Sequence, residues 1–68
     1  MYKPGTKFEV KIRIKQGNTV IEPGTKGEII EGISKMVGKS YQVLLEDGRS
    51  VQIHIVVMNN QTKVINED

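Results

Sequence analysis

The stretch GRSVQIHIVV, residues 48–57, carries the side chains with the clearest capacity for chemistry in this chain. Gln52 offers an amide that donates and accepts hydrogen bonds, and His54, the single histidine, offers an imidazole that can accept or release a proton. One residue separates them, so a strand would present both on the same face. Val56 extends that face with an apolar side chain, as the wall of an interface would. The alternative is a half-solvated strand whose two polar side chains face water.

Most catalytic constellations are absent from the sequence. There is no cysteine, and one histidine cannot build a zinc site within a single chain, so we expect no metal. Glu46 and Asp47 are adjacent carboxylates, but they precede Gly48 and suit turn chemistry. The segment PGTKG lacks the spacing of a phosphate-binding loop. Catalysis by such a chain would have to act by positioning two reactants against each other.

The length, composition and net charge of the chain describe one small domain. The 68 residues predict a single domain, residues 1–68, and a chain of this size buries only about 60% of its unfolded surface. Without disulfides or a metal, self-association is the expected source of additional stability, and the alternative is a well-packed small barrel that folds alone. The net charge of +2 is only mildly basic. No apolar segment has the length of a signal-peptide core or a membrane span, so we expect a cytoplasmic protein without membrane contact.

The first half of the chain predicts two strands around a long loop. KFEVKIRIK, residues 7–15, alternates without a break, which indicates one strand with a buried face. That face would hold Phe8, Val10, Ile12 and Ile14, and the solvated face Lys7, Glu9, Lys11, Arg13 and Lys15. A long ordered loop with a Pro23-Gly24 turn follows. Residues 27–33 form the second strand, in which Gly27 and Gly32 indicate close backbone approach or a bulge.

The second half predicts a hairpin, a helical turn and a last strand. SYQVLLE, residues 40–46, places Tyr41, Val43 and Leu45 on one face, and Asp47-Gly48 predicts a type I′ turn. RSVQIHIVV is the returning strand, MNNQ suits one helical turn, and TKVI a short last strand. SKMVGKS is a polar connection. Five short strands with these turns predict a small all-β, SH3-like barrel, with an OB-like barrel as the competitor.

The hairpin segment carries a family resemblance. SYQVLLEDGRSVQIHIVV resembles the end of the type II (type B) dihydrofolate reductases, plasmid-borne SH3-like enzymes that confer trimethoprim resistance. The hallmark of that family is Ser-Val-Gln-Ile-Tyr on the strand after a turn. Its first four residues are matched here by Ser50, Val51, Gln52 and Ile53, and His54 stands where the family has tyrosine. Tyr-Gln-Val at residues 41–43 matches the preceding strand of the family.

The resemblance implies a homotetramer in which four copies of this strand line one central pore. NADPH and dihydrofolate would stack there, and hydride would pass between them without a protein general acid. Gln52 would contact the nicotinamide and pterin rings, the main chain of Ile53 would hydrogen-bond both, and His54 would help to bind the cofactor. Ser50 and Val51 would shape the pore wall.

Three features depart from the family. A lysine near the end of the family's first strand meets the anionic tails of the ligands. Lys15 is the nearest candidate here, and the alternative is a direct strand overlay, which would place Ile14 at that position. The tryptophan at the family's dimer contact and the histidine in its turn have no counterpart. Because the pore requires four chains, the resemblance makes the oligomeric state decisive.

The alternative function is a non-enzymatic SH3- or KOW-like module that binds protein or RNA. PGTKGEIIEGI resembles the Gly-containing strand of such domains, and Lys11, Arg13 and Lys15 would supply a basic stripe for phosphates. Phe8 and Tyr41 fall on core faces, which leaves little for base stacking. The enzyme needs four chains and the module one, so the oligomeric state separates the two functions.

Overall fold

The structure is a computed structural model that describes residues 2–36 and 38–66. Its elements are β1 (Lys7–Val10), β2 (Ile14–Gln16), β3 (Thr19–Ile21), β4 (Lys26–Lys35), β5 (Gly38–Leu45), β6 (Ser50–His54), α1 (Ile55–Gln61) and β7 (Thr62–Asn66). Five strands form an antiparallel sheet in the order β6-β5-β4-β1-β7, and β2 and β3 form a separate hairpin. The predicted all-β, SH3-like fold is confirmed. Within the described residues, the ladders stop at β6 and β7 and do not close the sheet into a barrel.

The core draws on both sheets and on the helix. Its fully buried apolar side chains are Phe8, Val10, Ile14, Ile21, Ile29, Tyr41, Val43, Leu45, Ile53 and Met58. The alternating pattern of β5 is confirmed, since its three predicted inward residues are all in this cluster. The buried hydroxyl of Tyr41 accepts a hydrogen bond from the main-chain N–H of Tyr2 at 3.1 Å, which satisfies the polar end of a core residue.

The predicted single strand over residues 7–15 is wrong in its middle. β1 ends at Val10 and β2 begins at Ile14, and between them the N–H groups of Lys11 and Ile12 both donate to the carbonyl oxygen of Gln61, at 2.9 and 3.2 Å. The chain thereby leaves the large sheet for the small one, and Ile12 is left 58% exposed. Apolar and polar residues alternate on both sides of the bend. This pattern cannot show that β1 and β2 belong to different sheets.

The predicted long loop contains the β2–β3 hairpin and then the expected turn. Gly17 turns the hairpin with a φ of +58°, and Gly24 follows Pro23 with a φ of +94°. The predicted Pro-Gly turn is therefore confirmed. The register of β4 against β5 shifts between Ile29 and Glu31, so the irregularity lies between Gly27 and Gly32, the two positions that the sequence indicated.

Gly27 is a point of close approach, as predicted. A Cβ atom placed on it would lie 2.7 Å from Cζ of Phe8 and 3.0 Å from the carbonyl oxygen of Leu44. Any side chain at this position would therefore collide with the core aromatic ring. The glycine allows β4 to pass directly over Phe8.

The turn between β5 and β6 is of a different type from the one predicted. Only Gly48 has a positive φ, +96°, whereas a type I′ turn would require one at Asp47 as well. Gly48 N donates to Leu45 O at 2.9 Å, and Leu45 N donates to Arg49 O at 2.8 Å. These bonds enclose a three-residue loop with glycine in the left-handed position, the G1-bulge hairpin.

The strand predicted for residues 49–57 ends earlier, at His54. Residues 55–57 begin α1, so the predicted helix is present but starts before MNNQ. Val56 is exposed on the helix and does not continue the strand face of Gln52 and His54. The predicted apolar extension of that face is therefore wrong.

The connection SKMVGKS is largely strand. β4 extends to Lys35, β5 starts at Gly38, and these two residues pair with each other. Val37 lies outside the described residues. In the part of the chain that the structure describes, no helix is long and apolar enough to cross a membrane.

Candidate functional site

The outer face of the β5–β6 ladder carries a reciprocal set of amides and hydroxyls. Gln42 and Gln52 lie directly opposite each other. Gln42 Nε2 donates to Ser50 Oγ, and Gln52 Nε2 donates to Ser40 Oγ, both at 2.7 Å. Each glutamine thus reaches the serine on the diagonal, and together the four side chains form an uncharged, ordered surface. Gln52 uses one of its two amide N–H groups on Ser40, so its oxygen and its second N–H can bond to a ligand.

A pocket opens at one end of this surface. Its volume is about 270 Å³, and it is lined by Gln16, Lys35, Gly38, Lys39, Ser40, Gln52 and His54. Two residues predicted from the sequence, Gln52 and His54, therefore line the same concavity. The other lining residues come from β2 and from the β4–β5 hairpin, so three segments distant in sequence build the site.

The side chain of Gln16 fixes the outer edge of β6. Its Nε2 donates to the carbonyl oxygen of Gln52 at 2.9 Å, and its Oε1 accepts from the N–H of His54 at 3.2 Å. This amide thus bonds to β6 in the way that a peptide group of a neighbouring strand would. It ties the small hairpin to the edge of the large sheet beside the pocket.

His54 has a structural role in addition to its place in the pocket. It is the N-cap of α1, and its Nδ1 accepts from the N–H of Val56 at 3.3 Å. With Nδ1 as acceptor, the neutral imidazole carries its proton on Nε2. A Cβ built on Gly38, whose φ is +139°, would lie 3.1 Å from that Nε2. Glycine at this position leaves the space that the imidazole uses.

Two of the predicted site residues face inward. Ile53 is fully buried, and Val51 is half-buried and packs against the core. Ile53 pairs with Tyr41, and hydrogen-bonded pairs recur at every second residue of an antiparallel ladder. Counting back from the hydrogen-bonded pair Leu45–Arg49 makes Tyr41–Ile53 such a pair, so the main-chain N–H and C=O of Ile53 face β5. The outward main-chain groups belong to Gln52 and His54. The main-chain N–H and C=O of Ile53 are therefore used in the β5–β6 ladder. The resemblance would have required these same groups to hydrogen-bond to a ligand.

Ser50 and Lys15 lie apart from the pocket. Ser50 is exposed on the outer face, where it accepts the bond from Gln42. Lys15 is exposed on β2 opposite Val20 and is not among the residues that line the concavity. The lysines that do line it are Lys35 and Lys39.

The basic stripe of the alternative function is not continuous. Lys11 and Arg13 lie in the bend between β1 and β2, where Lys11 pairs with Glu9 and Arg13 with Glu22, each at 3.4 Å. Both cations therefore have acidic partners, and neither shares a strand with Lys15. Phe8 and Tyr41 are buried, so neither is exposed for stacking on a base.

The β5–β6 turn is held by Asp47 and Arg49. Asp47 Oδ1 accepts from the main-chain N–H of Arg49 at 3.0 Å, and its Oδ2 accepts from Arg49 Nε at 2.9 Å. The main-chain bond, helped by the guanidinium, lowers the pKa of the Asp47 carboxyl below its ordinary value. Arg49 also donates to the carbonyl oxygen of Val20 at 2.9 Å. The turn is thus a second anchor between the small hairpin and the edge of the sheet.

Sequence reasoning missed most of the partners of Gln52 and His54. Ser40 could have been found, because a hairpin around Asp47 pairs Ser40 with His54. Gln16, Gly38 and the two lining lysines gave no such signal, since their position depends on how two other hairpins fold back.

The described residues contain no cluster of three or more metal-ligating side chains. No family model, no curated protein and no solved structure matches the chain. The function is therefore argued from the site itself.

Proposed function

We propose that this chain is an NADPH-dependent reductase of dihydrofolate that acts as a homotetramer. The observation that carries the proposal is that Gln52 and His54 line one pocket on an SH3-like fold, with the Gln52 amide oriented by Ser40. The Ser-Val-Gln-Ile stretch lies on the strand that follows a turn, as the resemblance requires. The proposal includes the cytoplasm as the location, where both ligands would be met.

The residues present fit planar, amide-bearing ligands. The oxygen of Gln52 can accept an N–H of a carboxamide or a pterin, and Nε2 of His54 can donate to a carbonyl or phosphate oxygen. NADPH would supply the hydride. The chain itself would bind, orient and exclude water, so its contribution to rate would be proximity of two reactants. Gln16 and Ser40 would keep Gln52 in the orientation that this requires.

The size of the pocket supports a site built from more than one chain. Its volume of about 270 Å³ lies below the range of roughly 300–1,000 Å³ that is typical for a single drug-sized ligand. NADPH is larger than a typical drug-sized ligand and would therefore extend beyond the pocket of one chain. Joining four such surfaces would build a pore in which two ligands meet.

Light scattering coupled to size exclusion tests this requirement. Four chains of 7.6 kDa give a particle of about 30 kDa, which is the expected mass near neutral pH. The tetramer should oxidise NADPH only when dihydrofolate is present, and trimethoprim should not inhibit it. A monomer of 7.6 kDa without this activity would refute the proposal and would favour a binding module.

A further inference from the structure

One edge of β4 is only partly covered by the rest of the chain. β1 pairs with β4 at residues 26–28, and the main chain of Ile29 bonds to Gly5 and Thr6. β4 continues to Lys35, but in the part of the chain that the structure describes no strand lies beside it on this side beyond Ile29. A bare edge of this kind presents main-chain groups to which another strand can pair.

The ladder with β5 determines which main-chain groups of this edge are free. Such groups point alternately to the two sides of a strand. Since Tyr41 of β5 bonds to β6, the residues on either side of it bond to β4, where their partners are Glu31 and Ile33. The N–H and C=O groups of Gly32 and Ser34 therefore point to the open side, and both residues are exposed.

The side chains along this edge form a self-complementary pattern. Glu31, Ile33 and Lys35 share the outer face of β4, because Gly32, which alternates with them, is paired with the buried Tyr41. Glu31 and Lys35 are exposed, and the ion pairs found among the described residues include neither of them. Four residues of strand separate the two charges by about 13 Å. Ile33 thus has a carboxylate two residues before it and an ammonium two residues after it.

We infer that two copies of this chain pair through this edge of β4, antiparallel and with the twofold axis at Ile33. Gly32 of each copy lies opposite Ser34 of the other, and these two pairs exchange four main-chain hydrogen bonds. Glu31 of each copy lies opposite Lys35 of the other, where unlike charges stabilise a cross-strand pair. An axis at Gly32 or at Ser34 would instead set Ile33 opposite a charged residue. The sequence therefore favours a single register.

This pairing brings a second chain to the candidate site. Lys35 is one of the residues that line the pocket of Gln52 and His54. Glu31 of the second copy, which lies opposite Lys35, therefore stands beside that pocket. The two copies form one continuous sheet, in the order β6-β5-β4-β4-β5-β6, and both pockets open on it. As one interface of the homotetramer the pairing rests on the proposed function, but the association of two chains does not depend on the reductase reaction.

Disulfide trapping of the full-length protein, which has no cysteine of its own, tests the pairing. In Ile33→Cys the two thiols face each other across a non-hydrogen-bonded pair, whose Cα atoms are about 4.5 Å apart and within reach of a disulfide. Because one chain is 7.6 kDa, we expect mild oxidation to give a dimer of about 15 kDa on a non-reducing gel. Ile65→Cys is the matched control, because Ile65 is an exposed isoleucine on β7 at the end of the sheet. Equal cross-linking in both variants, or none in Ile33→Cys, overturns the inference.

Charge reversal tests the register and leaves Ile33 in place. Glu31→Lys and Lys35→Glu each set like charges opposite each other at both ends of the pairing, and each should weaken self-association about tenfold. The double variant restores opposite charges and should associate like the parent protein. Sedimentation over a range of protein concentrations measures this. Single variants that associate normally, or a double variant that does not recover, would contradict the register.

The outcomes keep the pairing separate from the reductase. A protein that cross-links through Ile33→Cys but does not oxidise NADPH in its parent form refutes the reductase and leaves the pairing standing. An active tetramer whose Ile33→Cys variant does not cross-link refutes the pairing alone.

Discussion

The side-chain amide of Gln16 hydrogen-bonds to the main chain on both sides of Ile53, to the carbonyl oxygen of Gln52 at 2.9 Å and to the N–H of His54 at 3.2 Å. One side chain from a three-residue strand thus takes the place of a neighbouring strand at the edge of the sheet. This contact aligns the two side chains that the proposed function uses. It also covers main-chain groups that would otherwise be open to pairing with another chain.

Replacing Gln16 should loosen this edge. Gln16→Ala removes two solvent-accessible hydrogen bonds, and we expect a loss of about 1 kcal/mol in the free energy of unfolding. Urea denaturation measures it. Lys15→Ala is the matched control, because Lys15 is the preceding residue of β2 and is exposed. Equal stability of the two variants would contradict the role given to Gln16.

Gly27 should not tolerate a side chain. The methyl group of Gly27→Ala would meet Cζ of Phe8 at 2.7 Å, and relief of this overlap should cost about 1–3 kcal/mol of stability. In a Phe8→Leu background the same substitution should cost less, because the contacting ring atom is gone. A double-mutant cycle by thermal or urea unfolding gives the coupling. Additive effects would show that Phe8 is not the obstacle.

His54 should support the helix that follows it. His54→Ala removes the acceptor for the N–H of Val56, and loss of an N-cap of this kind costs about 1 kcal/mol. His54→Asn retains a capping oxygen and should keep most of the stability while losing the imidazole from the pocket. Unfolding experiments on both variants show whether a capping acceptor at residue 54, and not the imidazole as such, stabilises the helix. If both variants were equally destabilised, the capping contact would not be the cause.

The Asp47–Arg49 pair should make a small contribution to stability that depends on pH. Because the pKa of Asp47 is lowered in the folded chain, its contribution is present above the ordinary pKa of 3.8 and is lost as the pH falls through the lower folded value. Asp47→Asn should therefore be less stable than the parent at neutral pH, with a difference that shrinks in acid. Thermal unfolding at several pH values checks this. A difference that grew in acid would contradict the assignment.

The fold was accessible from the sequence because its strands carry clear local signals. Alternation placed Tyr41, Val43 and Leu45 in the core, and the Asp-Gly pair located the hairpin even though its turn type differs. The close approach at Gly27 was also indicated, because a glycine inside a strand often marks a place where another part of the chain comes close.

The errors occur where tertiary contacts override local pattern. Residues 55–57 are β-branched and suit a strand, yet they form the first turn of α1, where Met58 is buried and His54 provides the cap. Ile12 follows a perfect alternation but lies in a bend that is bonded to Gln61. A local period cannot encode either contact.

The candidate site was only partly predictable for the same reason. Gln52 and His54 could be singled out as polar residues on one strand face. Gln16, Lys35 and Lys39 join them only through the folding of two other hairpins, and the β4–β5 hairpin lacks the turn signals that mark the Asp-Gly turn.

The most direct test of the central claim is the rate of dihydrofolate-dependent NADPH oxidation by the parent protein and by Gln52→Ala and Gln42→Ala. The two glutamines lie opposite each other and each bonds to a serine, but only Gln52 lines the pocket. We predict trimethoprim-insensitive activity in the parent, a loss of at least about tenfold in Gln52→Ala, and near-parent activity in Gln42→Ala. An assembled, folded parent protein without this activity, or equal losses in the two variants, would contradict the proposed role of Gln52.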